Sequence, residues 1–152
     1  MREKERYKIE VHVAGIVFDN DKVFVLKRSP ARRLYPDLWE CGGGQVNPGE
    51  NFEEAIVRQL REEAGIECKP IGILETYEIL APDLDQKKIP GIRFVCEFLG
   101  YTYGEEPKIS EEHTEGKWIS IDEADELEFI PGLKEKIREA YHLYKVYKEG
   151  KK

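Results

Sequence analysis

Hydrophobic positions along the chain fall mostly into short runs of β-rich character, interrupted by a clear helical period. Val11 to Phe18 and Lys22 to Arg28 are dominated by β-branched and aromatic residues, and Asn20-Asp21 between them predicts a hairpin. Prolines and arginines mark Ser29 to Asp37 as a loop, Trp39 to Cys41 reads as a short strand, and Gly42-Gly43-Gly44 frees the backbone. Pro70 to Leu80 predicts a strand. A further one is predicted where Ile92, Phe94, Cys96 and Phe98 alternate with Arg93, Val95 and Glu97. The polar stretches Ala81 to Pro90 and Gly104 to Gly116 are predicted loops. Lys117 to Ile121 is a short strand, followed by an acidic turn or short helix.

Two segments carry a helical period. In the first, Asn51 is a good N-cap, Glu54 completes a capping-box pattern, Phe52, Ile56 and Leu60 form one apolar stripe, and Gly65 is a natural stop. In the second, Pro131 opens a helix on which Leu133, Ile137, Tyr141 and Tyr144 share a face. Strands, a helix, more strands and a final helix predict an α/β fold: a mixed sheet with helices on its faces, as one domain over residues 1–152.

Composition narrows the function. The formal net charge of -7 disfavours extended nucleic acid or an anionic membrane, although a metal ion can bring a nucleotide with it. Cys41, Cys68 and Cys96 are far apart and form no metal-ligand spacing, so reduced thiols in a cytoplasmic protein are expected. The charged start, Met1 to Arg6, leads into no apolar stretch, and no run is long enough to span a bilayer.

The first helix bears the chemistry. Arg58, Gln59, Glu62 and Glu63 avoid the apolar stripe, with 59, 62 and 63 in one sector, and Glu50 stands just ahead of them. A solvated face with i, i+4 ion pairs is the plain alternative. Against it stand the glycine run directly before the helix and the Asn47-Pro48-Gly49 turn. A hard cation such as Mg²⁺ would relieve the crowding of carboxylates.

The spacing resembles the Nudix box: Gly44, five residues, Glu50, seven residues, then Arg58-Gln59-Leu60-Arg61-Glu62-Glu63-Ala64-Gly65-Ile66. The lead-in Leu38-Trp39-Glu40 with Gly42-Gly43 is similar to the family's as well. The one departure is Gln59, where the family has glutamate.

The resemblance implies an α/β/α sandwich around a mixed sheet. It also implies Mg²⁺- or Mn²⁺-dependent hydrolysis of a nucleoside diphosphate linked to another group. On that basis Glu62, Glu63 and the Gly44 carbonyl would hold metal, and Arg58 would pin neighbouring carboxylates. A further glutamate comes from the loop before Trp118; Glu112, then Glu115, is the candidate for ligand or general base, set against a plain acidic surface loop. Gly43 and Gly44 would meet the substrate. Arg28 and Arg93 are candidate phosphate contacts, whereas Arg32 and Arg33 read better as a solvated basic loop. Tyr35, Tyr77 or Phe94 are candidates for stacking on a base, each also explained by packing. Gln59 cannot act as a base and is a poor Mg²⁺ ligand. It leaves three readings: an enzyme using Glu62, Glu63 and Glu112 with fewer metals, a nucleotide-binding or regulatory module with little turnover, or an introduced change that slows an enzyme. A small nucleotide is the expected partner, and a homodimer is compatible with the sequence.

Overall fold

The computed structural model describes residues 8–151, so the charged start at residues 1–6 lies outside it. The elements are β1 (His12–Asp19), β2 (Lys22–Arg28), β3 (Trp39–Glu40), β4 (Gly43–Gln45), α1 (Phe52–Ala64), β5 (Ile66–Ala81), β6 (Lys87–Tyr101) and β7 (His113–Ser120). A 3-10 turn (Asp122–Glu126) and α2 (Leu133–Gly150) complete the chain. Together the strands form a seven-stranded mixed sheet in which β1 runs parallel to β6 and the other pairings are antiparallel.

The feature that positions the site is a split in this sheet. β1 and β2 pair only beside their turn, at Phe18↔Val23 and Asp19↔Lys22. Beyond that they part, and the chain fills the gap twice. β3 extends the ladder of β2 at Leu26↔Glu40, and β4 extends that of β1 at Ala14↔Gly43. Cys41-Gly42 crosses from one half to the other, with the Gly42 carbonyl accepting from Gly15 N at 3.1 Å. Gly42 has φ 107, a backbone region that suits glycine, and a Cβ there would crowd Leu60.

Each sheet face has its own apolar core. Ile16, Phe18, Val23, Val25 and Val95 pack under Leu133, Ile137, Ala140 and Tyr144 of α2. On the other face, Val13, Val17, Phe24, Leu26, Phe94 and Cys96 pack under Ala55, Ile56, Leu60 and Ala64 of α1. This is the α/β/α sandwich expected from the sequence.

Helix α1 shows the capping box: Asn51 Oδ1 accepts from Glu54 N at 2.8 Å and Glu54 Oε1 accepts from Asn51 N at 3.2 Å. Gly65 ends it in the left-handed region at φ 64. Phe52, expected on the buried stripe, is exposed, because the buried face runs from Ala55 onward.

Several boundaries differ from the sequence expectation. Cys41 and Gly42 belong to no strand, while Gly43 and Gly44, expected as free backbone, begin β4. β5 starts directly after Gly65, and the expected Ala81–Pro90 loop shrinks to a turn because Lys87 to Pro90 pair with Glu78 to Ala81. β7 begins at His113, inside the expected second loop. The strand predicted from the alternation of Ile92 to Phe98 lies within β6, yet Phe94, Val95 and Cys96 are all buried. Covered on both faces, a central strand has no solvent side to alternate with.

The end of α1 is tied to β5 by charge. Arg61 donates to both Glu67 carboxylate oxygens, at 2.8 and 2.7 Å, and Thr102 donates a further hydrogen bond. These contacts hold Glu67 down at about 2 against an ordinary 4.5. A depressed carboxyl contributes stability above the unfolded value and loses it as pH falls through the folded one. Glu67→Gln is therefore expected to lose on the order of 1 kcal/mol at pH 7, the pair being partly solvent-screened. The difference from the native protein should vanish as pH falls from about 4.5 to about 2. Urea denaturation of both proteins across that range measures it; a pH-independent difference contradicts the assignment.

Candidate metal and substrate site

Glu63 lies where the two halves of the sheet part. It is only 5% exposed, although the sequence grouped it with Gln59 and Glu62 on a polar sector. The correction is geometric: Glu63 follows Ile56 by seven residues and Leu60 by three, which returns it to the apolar side of α1. Its carboxyl fills the gap, where Oε1 accepts from Gly43 N at 3.0 Å.

The chain brings other groups to the same point. The loop before β7 is fastened to the end of α1, with Lys108 N donating to Ala64 O at 2.8 Å and Ser110 N to Glu63 O at 2.9 Å. Ser29 N holds the Glu112 carbonyl at 3.0 Å. This places Glu112 and His113 beside Glu63. Among the described residues, one ligand atom from each of Glu63, Glu112 and His113 lies within 4.8 Å of the others. His113 is buried; its Nε2 lies 3.1 Å from Glu40 Oε2 and 3.7 Å from Glu63 Oε2, and its Nδ1 has no hydrogen-bond partner.

Three carboxyl groups thus crowd one place, and Glu63 and Glu40 shift in opposite directions. Burial pushes Glu63 up to about 8, and the neighbouring Glu40 and Glu112 charges add to this against the opposing Gly43 hydrogen bond. Burial would also raise Glu40. The hydrogen bond with His113 and the Arg28 guanidinium outweigh it and hold that carboxyl below the ordinary carboxylate range. Glu112 stays exposed, with Arg32 at 3.6 Å. A buried carboxyl that holds its proton beside the ionised Glu40 is an arrangement that a divalent cation relieves, and carboxylate oxygens suit such a cation.

The remaining candidates are distributed around this centre. Glu62 faces solvent and accepts from Arg58 Nη1 at 3.1 Å. Arg58 also grips both oxygens of Glu50, at 2.6 and 3.0 Å, and donates to Gln45 O at 2.9 Å. Those contacts, with the Asn47 N–H, lower Glu50. Gln59 lies against Gly44, leaving no room for a Cβ there, and donates to Gln45 O at 3.1 Å. Glu115 pairs along β7 with Lys27 and lies outside the cluster.

Arg28, a candidate phosphate contact in the sequence, is engaged within the protein. Its Nη1 binds Glu40 at 2.6 Å and its Nε the Leu34 carbonyl at 2.9 Å, so it fixes Glu40. Arg93 is paired too, with Glu75 at 2.9 Å. Arg33 is exposed beside Asp83 at 3.3 Å. Phe94 is core, Tyr35 is exposed, and Tyr77 lies beside Arg93. Cys41 is buried, which pushes its thiol up to about 12 and makes it inert as a nucleophile.

The sequence profile of the NUDIX domain matches residues 8–143. The chain belongs to the NUDIX family. It is 28% identical to the ADP-ribose pyrophosphatase of Methanocaldococcus jannaschii over 133 residues, 84% of this chain and 74% of that protein. A CTP pyrophosphohydrolase of Escherichia coli K12 is 40% identical over 58 residues, 38% of this chain and 43% of that protein. The matched stretch therefore spans less than half of that second relative. A NUDIX hydrolase from Nitrosomonas europaea superimposes with a TM-score of 0.70 at 22% identity over 90% of each chain. The MutT protein of Methanosarcina mazei Go1 does so with 0.67 at 24% identity, covering 93% of this chain and 99% of that one. Among the described residues no helix is long and apolar enough to cross a membrane.

Within this NUDIX domain, Glu40 and His113 are the residues that sequence reasoning passed over. Glu40 stood only in the lead-in to the box and His113 only at the end of a loop; neither has a local spacing that points to Glu63.

The buried carboxyl carries a stability signature. A carboxyl raised by burial favours the native state at low pH. It penalises that state as pH rises toward the folded value, by about 1.4 kcal/mol for each pH unit separating the unfolded and folded values. The metal-free protein should therefore lose stability between pH 4.5 and about 8 through Glu63. Glu63→Gln, which keeps the acceptor for Gly43, should flatten that dependence and be the more stable protein at pH 8.5. Denaturation in a chelating buffer tests this; equal destabilisation at pH 6 and 8.5 contradicts it.

Proposed function

We propose that this chain hydrolyses the pyrophosphate bond of a nucleoside diphosphate linked to another group, with Mg²⁺ or Mn²⁺ as cofactor. The observation that carries this reading is the convergence of Glu63, Glu112 and His113 at the split of the sheet, under the glycines of the box. Glu63 and Glu112 would hold the cation, with Glu62 and the Gly44 carbonyl completing its surroundings. A bound cation would neutralise pyrophosphate charge and lower the pKa of an attacking water.

The protein's own groups do the rest. Gly43 and Gly44 present backbone to the phosphates. Arg58 and Arg28 hold Glu50, Glu62 and Glu40 in fixed positions, which keeps the cluster from relaxing apart. Water forms a new bond to one phosphorus as the bridging P–O bond breaks, and Glu112, the solvent-facing carboxylate of the group, takes the proton. Among relatives, the names ADP-ribose pyrophosphatase and bis(5'-nucleosyl)-tetraphosphatase belong to proteins matched over 84% and 68% of this chain. Both kinds of compound fit the same class of substrate.

Gln59 supports a second reading, an attenuated enzyme or a nucleotide-binding module. Its amide is spent on the Gln45 carbonyl beside Gly44, where a glutamate would be repelled by that oxygen and left open to a cation or water. Purified protein with Mg²⁺ or Mn²⁺ is to be assayed on ADP-ribose, dinucleoside polyphosphates and nucleoside triphosphates. Turnover is expected on at least one. Glu112→Gln should lower kcat by roughly 10²–10⁴-fold, and Gln59→Glu should raise it. Binding without turnover on any compound, unchanged by Gln59→Glu, contradicts the hydrolase reading.

A further inference from the structure

Away from the carboxylate cluster, the face of the sheet under α2 changes character beyond its apolar core: Ala14 and Gly91 stay buried, while Arg93 and Tyr77 are partly exposed. α2 seals Ile16, Phe18 and Val95, but Ala14, Gly91, Arg93 and Tyr77 belong to neither apolar core. These residues are adjacent. β1 pairs with β6 at His12↔Gly91 and Ala14↔Arg93, β5 pairs with β6 at Glu75↔Arg93 and Tyr77↔Gly91, and Gly43 lies opposite Ala14. Gly43, Ala14, Arg93 and Glu75 thus form one row across four strands. Arg93 lies two strands from the glycine loop, roughly 10 Å at the usual strand spacing.

Arg93 is held firmly for a residue whose side chain keeps 15% of its surface exposed. Its Nε donates to Glu75 Oε2 at 2.9 Å, and its guanidinium lies 4.9 Å from the centre of the Tyr77 ring. The ring is itself seated on Gly91, where any Cβ would collide with it. Glu75 is anchored from the other side, with Lys136 of α2 at 3.3 Å from Oε1. Among the described residues neither Nη of Arg93 has a hydrogen-bond partner, and neither is sealed from solvent. The result is a planar pair of donors, fixed in orientation and without acceptors among the described residues.

We propose that Arg93 is the receptor for the nucleobase of the substrate, with Glu75 as its positioning residue and Tyr77 as the platform beside it. The proposal rests on the nucleotide-hydrolase reading of the site and adds a base preference to it. Three features favour a base over a phosphate. Glu75 already neutralises the guanidinium, the row places it two strands from the Gly43 backbone, and an aromatic face adjoins it. A two-donor fork matches a base edge with two adjacent acceptors, as guanine offers at O6 and N7 and cytosine at O2 and N3. Adenine puts an amino donor beside its ring nitrogen and leaves one arm of the fork unmatched.

The test is equilibrium binding of the α,β-methylene analogues of GTP, CTP and ATP, which share one phosphate chain, to the full chain with Mg²⁺. The native protein should prefer guanine and cytosine over adenine by about tenfold or more. Arg93→Lys keeps the charge and removes the fork, and Glu75→Gln keeps the shape and releases the guanidinium. In each the preference should collapse toward one while the Tm changes little. Should Glu75→Gln fail to fold, Arg93→Lys decides alone. Binding without base preference in the native protein, or equal weakening of all three analogues in Arg93→Lys, overturns this proposal and leaves the hydrolase reading standing. No binding of any analogue to the native protein overturns both.

Discussion

The contact on which the site depends is the hydrogen bond from Gly43 N to the buried carboxyl of Glu63. It exists because β1 and β2 part after their turn and the chain must cross between the halves at Cys41-Gly42. A crossing of this kind leaves backbone donors in the middle of a sheet, where an unmet N–H is costly. Glu63, projecting from the inner side of α1, meets one of them. The same contact fixes the end of α1, to whose last carbonyls the loop before β7 is tied, so Glu112 and His113 arrive where Glu63 already is.

The cost of this solution is electrostatic. Glu40, Glu63 and Glu112 share one neighbourhood, and Glu63, the most buried, answers by holding its proton to about 8. Around them the arginines act as braces. Arg28 grips Glu40, while Arg58 grips Glu50 and Glu62 from the outer side of the helix. Charge and geometry thus favour a cation at this point, beside the glycines of the box.

Much of the fold was legible in the sequence, because the relevant signals are local. Asn51, Glu54 and Gly65 mark the ends of α1 through hydrogen bonds made within a few residues. The box likewise is one loop and one helix. What was not legible depends on distance along the chain. Lys87 to Pro90 read as loop because their ladder partners lie across a turn without a strong glycine signal, and the burial of Val95 has no local cue because α2 lies some forty residues away. Glu63 shares its polar character with Glu62, and only the full helical wheel separates an exposed residue from a buried one. Glu40 and His113 are 73 residues apart, so their pairing has no sequence signature. Arg28 and Arg93 read as candidate phosphate contacts, and nothing near them in the sequence announces their carboxylate partners Glu40 and Glu75.

The most direct test of Glu63 as a buried, protonated carboxyl awaiting a cation is calorimetric titration of the metal-free protein with Mn²⁺ in buffers of different ionisation enthalpy. Binding at pH 6.5 should release about one proton, and release should fade as pH rises past about 8. Glu63→Gln should bind more weakly and release none. Binding with no proton release at pH 6.5, or affinity untouched by Glu63→Gln, would contradict a cation site built on Glu63.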